Sequence, residues 1–195
     1  MRSGSAVGSY CDLCAVTVTE YASPNDEFPH RLCRDWEHAA KPLADDGVRV
    51  CFSRTGVVAG PDGGFLERMI LPFKLGLGGR LGSGKQFMPW VHRDDVVGAL
   101  IWMMENPSAS GPFNVVSPNP ATNAEFTRSL GKVLHRPTLF PAPAPVLKIA
   151  LGEMARLLLT GQKAVPEKLI NQGFQFRYPD LEPALAQSIA PGASR

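Results

Sequence analysis

The 195-residue sequence has no stretch of 18 or more apolar residues, so nothing in it reads as a membrane-spanning helix. It has no excess of one charge: 20 Lys and Arg against 18 Asp and Glu leave +2, too little to direct the chain to nucleic acid or an anionic membrane. Its 4 cysteines are too few for a secreted disulfide scaffold, and a cytoplasmic protein with reduced thiols is the expectation. A Tyr-x-x-x-Lys pair, which sets a phenol and an ammonium on one helical face for proton transfer, occurs nowhere. No internal repeat is present.

What the chain has in excess is glycine and proline, 19 and 18 residues. That is about a fifth of the chain, where roughly an eighth is ordinary. With 44% apolar residues it still has the makings of a core, so a folded, turn-rich chain is expected, one domain or one with a small appendage.

Periodicity places the elements. Leu32, Trp36, Ala39, Ala40 and Leu43 recur at helical spacing over 27–44, with Arg31, Arg34, Asp35 and His38 on the other face. Val48, Val50 and Phe52 then alternate with Arg49, Cys51 and Ser53 as a strand does. A helix from Phe65 to about Leu75 carries Leu66, Met69, Ile70 and Phe73 on one side. Phe87 to His92 reads as extended, and Asp94-Asp95 stand where a helix to Glu105 needs an N-cap carboxylate. Pro112 to Val116 reads as a strand, and Thr122 with Glu125 makes a capping box for a helix through Leu134. Pro137, Pro141, Pro143 and Pro145 predict a stiff linker, followed by an apolar helix from Val146 to Thr160. A last helix starts over Pro166 to Ile170, and Phe174, Phe176 and Tyr178 offer an aromatic patch to dock the tail.

Two motifs invite a chemical reading from the residues alone. Cys11, Cys14, His30 and Cys33 have the spacing of paired zinc ligands. Against this, His30 and Cys33 fall at the start of an amphipathic helix and no nucleic-acid surface accompanies them, so unrelated thiols are the preferred reading and no metal is assigned. Gly79 to Gln86 nearly fits the phosphate loop G-x4-G-K-[ST], but Gln86 cannot supply the hydroxyl that holds magnesium, and a turn-rich loop over a cleft is expected.

Six segments occur in a telling order: Ser5-Ala-Val-Gly-Ser-Tyr-Cys11, Arg34-Asp-Trp-Glu-His-Ala-Ala40, Arg54-Thr-Gly-Val-Val58 with Gly60-Pro61, Leu75-Gly-Leu-Gly-Gly79, Trp90-Val-His-Arg-Asp-Asp-Val96 and Phe113-Asn-Val-Val-Ser-Pro118. In these the chain resembles the C-terminal portion of an atypical extended short-chain dehydrogenase/reductase, of the NAD(P)-dependent sugar-nucleotide epimerase family that ends in a small domain of unknown function. The resemblance implies an α/β fold, the C-terminal part of a Rossmann-like parallel sheet with a small helical C-terminal appendage. Residues 1–136 would belong to the epimerase/dehydratase domain and 137–195 to the appendage. The strand, G-x-G-x-x-G and helix that hold a dinucleotide's pyrophosphate in such folds are not among these residues, so the chain is expected to be about two-thirds of a larger core.

The resemblance further implies NADP or NAD as cofactor and a small-molecule substrate, with a homodimer compatible and no nucleic acid or membrane partner. Ser5 and Tyr10 are the candidate catalytic hydroxyls, and Val57 and Val58 the candidate contacts to the nicotinamide end. His92 and Asp95 are implied as a brace between a strand and the following helix. The family's Tyr-Tyr-Gly is here Ser9-Tyr10-Cys11, and Pro29 and Cys33 stand where typical extended reductases carry Tyr and Lys. A non-catalytic binding module of the same ancestry is the alternative reading, and a small zinc protein the third.

Overall fold

A computed structural model describes residues 1–10, 14–23, 26–61 and 63–190. β1 (Arg2–Ala6) runs into a 3-10 turn over Val7–Tyr10, and β2 (Cys14–Val18) follows. Two helices come next, α1 (Phe28–Ala39) and α2 (Lys41–Asp45), leading to β3 (Cys51–Thr55) and β4 (Val57–Ala59). α3 (Gly64–Lys74), β5 (Phe87–Met88), β6 (Trp90–His92), α4 (Arg93–Glu105) and β7 (Gly111–Val115) complete the next stretch. After β8 (Ala121–Thr122) and α5 (Asn123–Val133), the tail holds α6 (Ala144–Leu151), α7 (Ala155–Leu159), β9 (Gln162–Ala164), α8 (Glu167–Asn171) and α9 (Leu181–Ile189).

The central sheet is parallel, in the order β1-β3-β7, with Ala6, Thr55 and Val115 in register at the C-terminal ends. Its helical crossovers make this an α/β fold with a Rossmann-like sheet. β4 and β6 form a second parallel pair, β2 and β9 a third, and β5 pairs antiparallel with β8. Among the described residues no helix is long and apolar enough to cross a membrane.

In β3 the buried residues are Cys51 and Ser53, whereas Val48 is exposed and Phe52 is half-buried. Of the alternating apolar set Val50 alone is buried, beside Cys51 and Ser53 of the opposite set, because a central parallel strand is covered on both faces and burial there does not follow hydrophobicity residue by residue. One core lies beneath α4, where Phe113, Met103, Leu169 and Phe174 pack with Cys51. A second joins α3, α5 and α9 through Leu66, Phe73, Phe126, Leu130 and Leu185.

The helix expected over 27–44 breaks between α1 and α2 at Ala40, where Pro42 follows. Within α1 its apolar stripe also points outward, Ala40 just beyond it being the buried member. Phe28, Leu32 and Trp36 are exposed, while Cys33 is buried and Glu37 half-buried against the sheet side. The capping box at Thr122 is present, with Thr122 N–H and Oγ1 both donating to Glu125 Oε2, at 2.7 and 2.8 Å, and Glu125 N–H donating back to Oγ1. Those bonds hold the Glu125 carboxyl below its ordinary pKa.

The cap of α4 is not an aspartate. His92 Nδ1 accepts the N–H of Asp94, and the buried Asp95 carboxylate turns inward to accept the N–H of Arg177 at 2.6 Å and of Tyr178 at 3.0 Å. The two residues thus brace β6 and α4 against the tail, whose Tyr178 ring stands 4.0 Å from that of His92. The single apolar helix expected over 146–160 is interrupted at Gly152, which has φ +56°. The tail also contains a strand that periodicity does not announce, since β9 is too short to show any.

Candidate functional site

The C-terminal ends of β1 and β3 open into a cleft of about 450 Å³. Ala6, Val7 and Gly8 line it from the end of β1, Thr55, Gly56 and Val57 from the end of β3, and Phe65, Met88 and Pro89 from α3 and the β5–β6 segment. The tail closes it with Arg156, Leu158, Thr160, Gly161 and Gln162. Open parallel sheets bind ligands at this end of their strands, in the crevice where connections diverge, and the volume suits a small molecule.

The fit of the tail against the sheet is close. A Cβ on Gly161 would lie 2.0 Å from the Phe87 carbonyl oxygen, so only glycine lets the two backbones meet there. Gln162 Nε2 donates to the Val7 carbonyl at 2.6 Å, tying β9 to the turn after β1. Gly8, by contrast, has nothing within 4 Å of an added Cβ, and it borders the empty space of the cleft.

The glycine-rich loop at 79–86 borders the same cleft through Leu81 and Gln86. Four of its N–H groups are engaged within the protein: Leu81 N–H donates to Asn123 Oδ1, Gly82 N–H to the Ala142 carbonyl, Gly84 N–H to the Leu81 carbonyl and Lys85 N–H to Ser83 Oγ. Gly82 and Gly84 supply the positive φ the turn needs, at +57° and +72°. The loop is therefore a wall, as expected, and not an anion cradle.

Ser5 and Tyr10 meet in one hydrogen-bonded network beside the cleft, and neither is among its lining residues. Ser5 Oγ donates to Glu37 Oε1 at 2.8 Å. Arg54 donates from Nε and Nη2 to the two oxygens of the same carboxylate, each at 2.8 Å, and from Nη1 to the Tyr10 hydroxyl at 2.8 Å. Tyr10, fully buried, donates in turn to Asn114 Oδ1 at 2.9 Å. Asn114 N–H donates to the buried Glu20, which also accepts the N–H of Lys168.

Burial works against ionisation throughout this network, and the partners decide each outcome. Burial would raise the Glu37 carboxyl, but the hydrogen bonds and charge of Arg54 outweigh it and hold Glu37 below its ordinary pKa. Burial raises Glu20, since the amide donors around it only partly offset the loss of water. Burial also raises the Tyr10 phenol above 10 despite the neighbouring guanidinium.

Val57 lines the cleft with its N–H donating to the Pro89 carbonyl at 2.7 Å, and Val58 is 37% exposed outside the lining. Cys33 and Cys51 are buried free thiols; Cys11 lies outside the described residues. Among the described residues no group of three or more His, Cys, Asp and Glu could hold a metal. Sequence reasoning passes over the Glu37–Arg54 pair, Asn114, Glu20 and the Glu27–Arg156 contact. A charged residue within a strand, as Arg54 is, is the one signal that could have pointed to a buried partner.

Residues 29–117 match the NAD dependent epimerase/dehydratase family, and residues 142–188 match a domain of unknown function (DUF1731). An epimerase family protein of Mycobacterium bovis is 44% identical over 192 residues, which is 97% of this chain and 64% of that protein. The Bacillus subtilis protein YfhF is 41% identical over 187 residues, 95% of this chain and 61% of its own. The crystal structure of human epimerase family protein SDR39U1 (isoform 2) with NADPH superposes with a TM-score of 0.91 at 38% identity, over 96% of this chain and 64% of that one. A Bacillus cereus UDP-glucuronic acid 4-epimerase, solved with NAD, shares the fold at 15% identity with a TM-score of 0.73, over 96% of this chain and 58% of that one. The chain thus spans about 60% of the length of the relatives it matches.

Proposed function

Because the chain belongs to the NAD dependent epimerase/dehydratase family, we propose that its cleft receives the nicotinamide end of NADP or NAD together with a small substrate bearing a hydroxyl or carbonyl group. The observation that carries this reading is the place of the cleft, at the C-terminal ends of β1 and β3. Its lining fits the nicotinamide ring, which is uncharged in the reduced cofactor: Val7, Val57, Phe65, Met88 and Pro89 give it an apolar wall that excludes water. The NADPH held by the human relative supports NADP over NAD. No G-x-G-x-x-G occurs in the sequence, so the reading gives these residues the nicotinamide and substrate side and not the pyrophosphate.

When bound, the nicotinamide supplies hydride exchange with a carbon that carries a hydroxyl. The chain's part is to orient and to keep water out. Glu37 and Arg54 hold the strand ends carrying Ser5 and Thr55 at a set spacing, and Gln162 pins Val7 from the tail. One observation favours a second reading, a cleft that binds without turnover: both candidate hydroxyls, Ser5 and Tyr10, are engaged within the network.

Saturation-transfer NMR with NADPH tests the first reading. Transfer is expected at the nicotinamide protons, with little at the adenine, and it should vanish in Gly8→Leu, whose side chain would fill open space in the cleft. Stronger transfer to the adenine, or none at all, would sink the reading. If nicotinamide binding survives in Tyr10→Phe and Ser5→Ala while turnover of every tested alcohol or ketone is absent even in the parent chain, the second reading takes its place.

A further inference from the structure

We infer that the substrate side of this cleft is built for an uncharged, largely apolar alcohol or ketone and not for a nucleoside diphosphate sugar. The inference rests on the reading of the cleft just given and specifies the substrate class.

A diphosphate brings at least two negative charges, and proteins hold it with cations, with free amides at helix N-termini, or with both. The lining contains one cation, Arg156, and one carboxylate, Glu27. Arg156 Nη2 donates to Glu27 Oε2 at 2.6 Å, so the only positive charge among the described lining residues is already matched. Lys163 follows the lining residue Gln162 and is not itself in the lining; its ammonium lies over the Phe87 ring, 5.6 Å from its centre.

The helix ends at the cleft offer little more. α1 begins with Glu27 at its N-cap and Pro29 in its first turn, which puts a carboxylate at the positive end and removes one N–H. At the start of α5, Asn123 N–H donates to the Gln86 carbonyl, Ala124 N–H to the Gly84 carbonyl and Glu125 N–H to Thr122 Oγ1. α3 enters with Phe65 and has Glu67 in its first turn.

The polar side chains that remain are engaged in holding the cleft together. Gln86 Nε2 donates to the carbonyls of Leu81 and Leu158, Asn123 Oδ1 accepts from Leu81 N–H, and Gln162 donates to Val7. Most of what faces the space is aliphatic carbon, the Phe65 ring and the Met88 thioether. Such a wall gains from burying hydrocarbon, at about 25 cal/mol per Å², and offers a phosphate nothing in return for its hydration.

The test compares 2-octanone with UDP-glucose on the purified chain, each followed by saturation-transfer NMR. Transfer to 2-octanone is expected, reduced about tenfold in Gly8→Leu, with none to UDP-glucose. In Glu27→Gln, which frees Arg156, affinity for inorganic pyrophosphate, read by phosphorus NMR titration, should rise about threefold. Transfer to UDP-glucose that is lost in Gly8→Leu would overturn the inference, as would absence of transfer to 2-octanone, an octanone signal indifferent to Gly8→Leu, or a pyrophosphate affinity unchanged in Glu27→Gln. The NADPH measurement separates the two readings. Nicotinamide transfer without octanone transfer removes the substrate class and leaves the cofactor site; octanone transfer without nicotinamide transfer does the reverse.

Discussion

Arg54 carries a full charge into the central strand, where its side chain is only 16% exposed and that of its partner Glu37 only 14%. Two parallel hydrogen bonds, a third to Tyr10 and the stacking of the guanidinium 5.1 Å from that ring's centre compensate the lost hydration. Glu37→Gln would leave the guanidinium buried without a counter-charge. A loss of about 3 kcal/mol at neutral pH is expected from urea denaturation.

The pH dependence has a definite sign. Glu37 is depressed in the folded chain, so its stabilisation is present above the unfolded carboxylate range, near pH 4.3, and is lost as pH falls through the folded value. The gap between parent and Glu37→Gln should therefore close in acid. Glu20 runs the other way: raised by burial, it favours the folded state below the unfolded value and loses that as pH rises through the folded one. A gap that stayed constant with pH would mean that the ion pair is not what Glu37 contributes. Ser5 and Tyr10 are visible in the sequence only through a resemblance, and Glu37 not at all, because a buried pair is a relation between strand and helix that no local pattern records.

Among the elements, those whose cause is local were the readable ones. The Thr122 and Glu125 box starts α5, a four-residue chemistry complete within itself. α3 follows its apolar period, and α4 runs to Glu105 before Asn106-Pro107. α1 was readable as a helix but not in its orientation. Pro29, Cys33, Glu37 and Ala40 share the same spacing as Leu32, Trp36 and Ala39, and hydrophobicity selects the stripe that faces out, because the inward face meets the charge of Arg54. β9 depends on a distant partner, β2, and was not legible, whereas the interruption at Gly152 has a local cause, a glycine at positive φ, that the apolar period hides.

The contrast can be measured with one cap and one glycine substitution. Thr122→Ala removes a local cap and should cost about 1 kcal/mol. Gly161→Ala should cost more, because the Phe87 backbone that a Cβ would meet at 2.0 Å cannot rotate away as a side chain could. Thermal unfolding of the two variants ranks them, and a Gly161→Ala chain as stable as Thr122→Ala would show that the tail can recede from the cleft.

For the whole molecule, the cleft is a product of both ends of the chain. Glu27 meets Arg156 across 129 residues, Val7 meets Gln162 across 155, and β2 finds its strand partner in β9. Removing the Gln162 amide, as in Gln162→Ala, should raise local opening of β2 and β9 about tenfold in amide hydrogen exchange while β3 and β7 stay protected. Equal acceleration in β7 would show that the pairs do not open separately.

The same pairing has a consequence during synthesis. β2 is made early, and the strand it pairs with is about 145 residues later, on the order of ten seconds at ordinary elongation rates. For that interval the nascent chain carries Cys14–Val18 with an unfilled edge, and Val7 without the amide that will cover it. The cleft thus cannot close until β9 has been made, long after the strand ends that open into it.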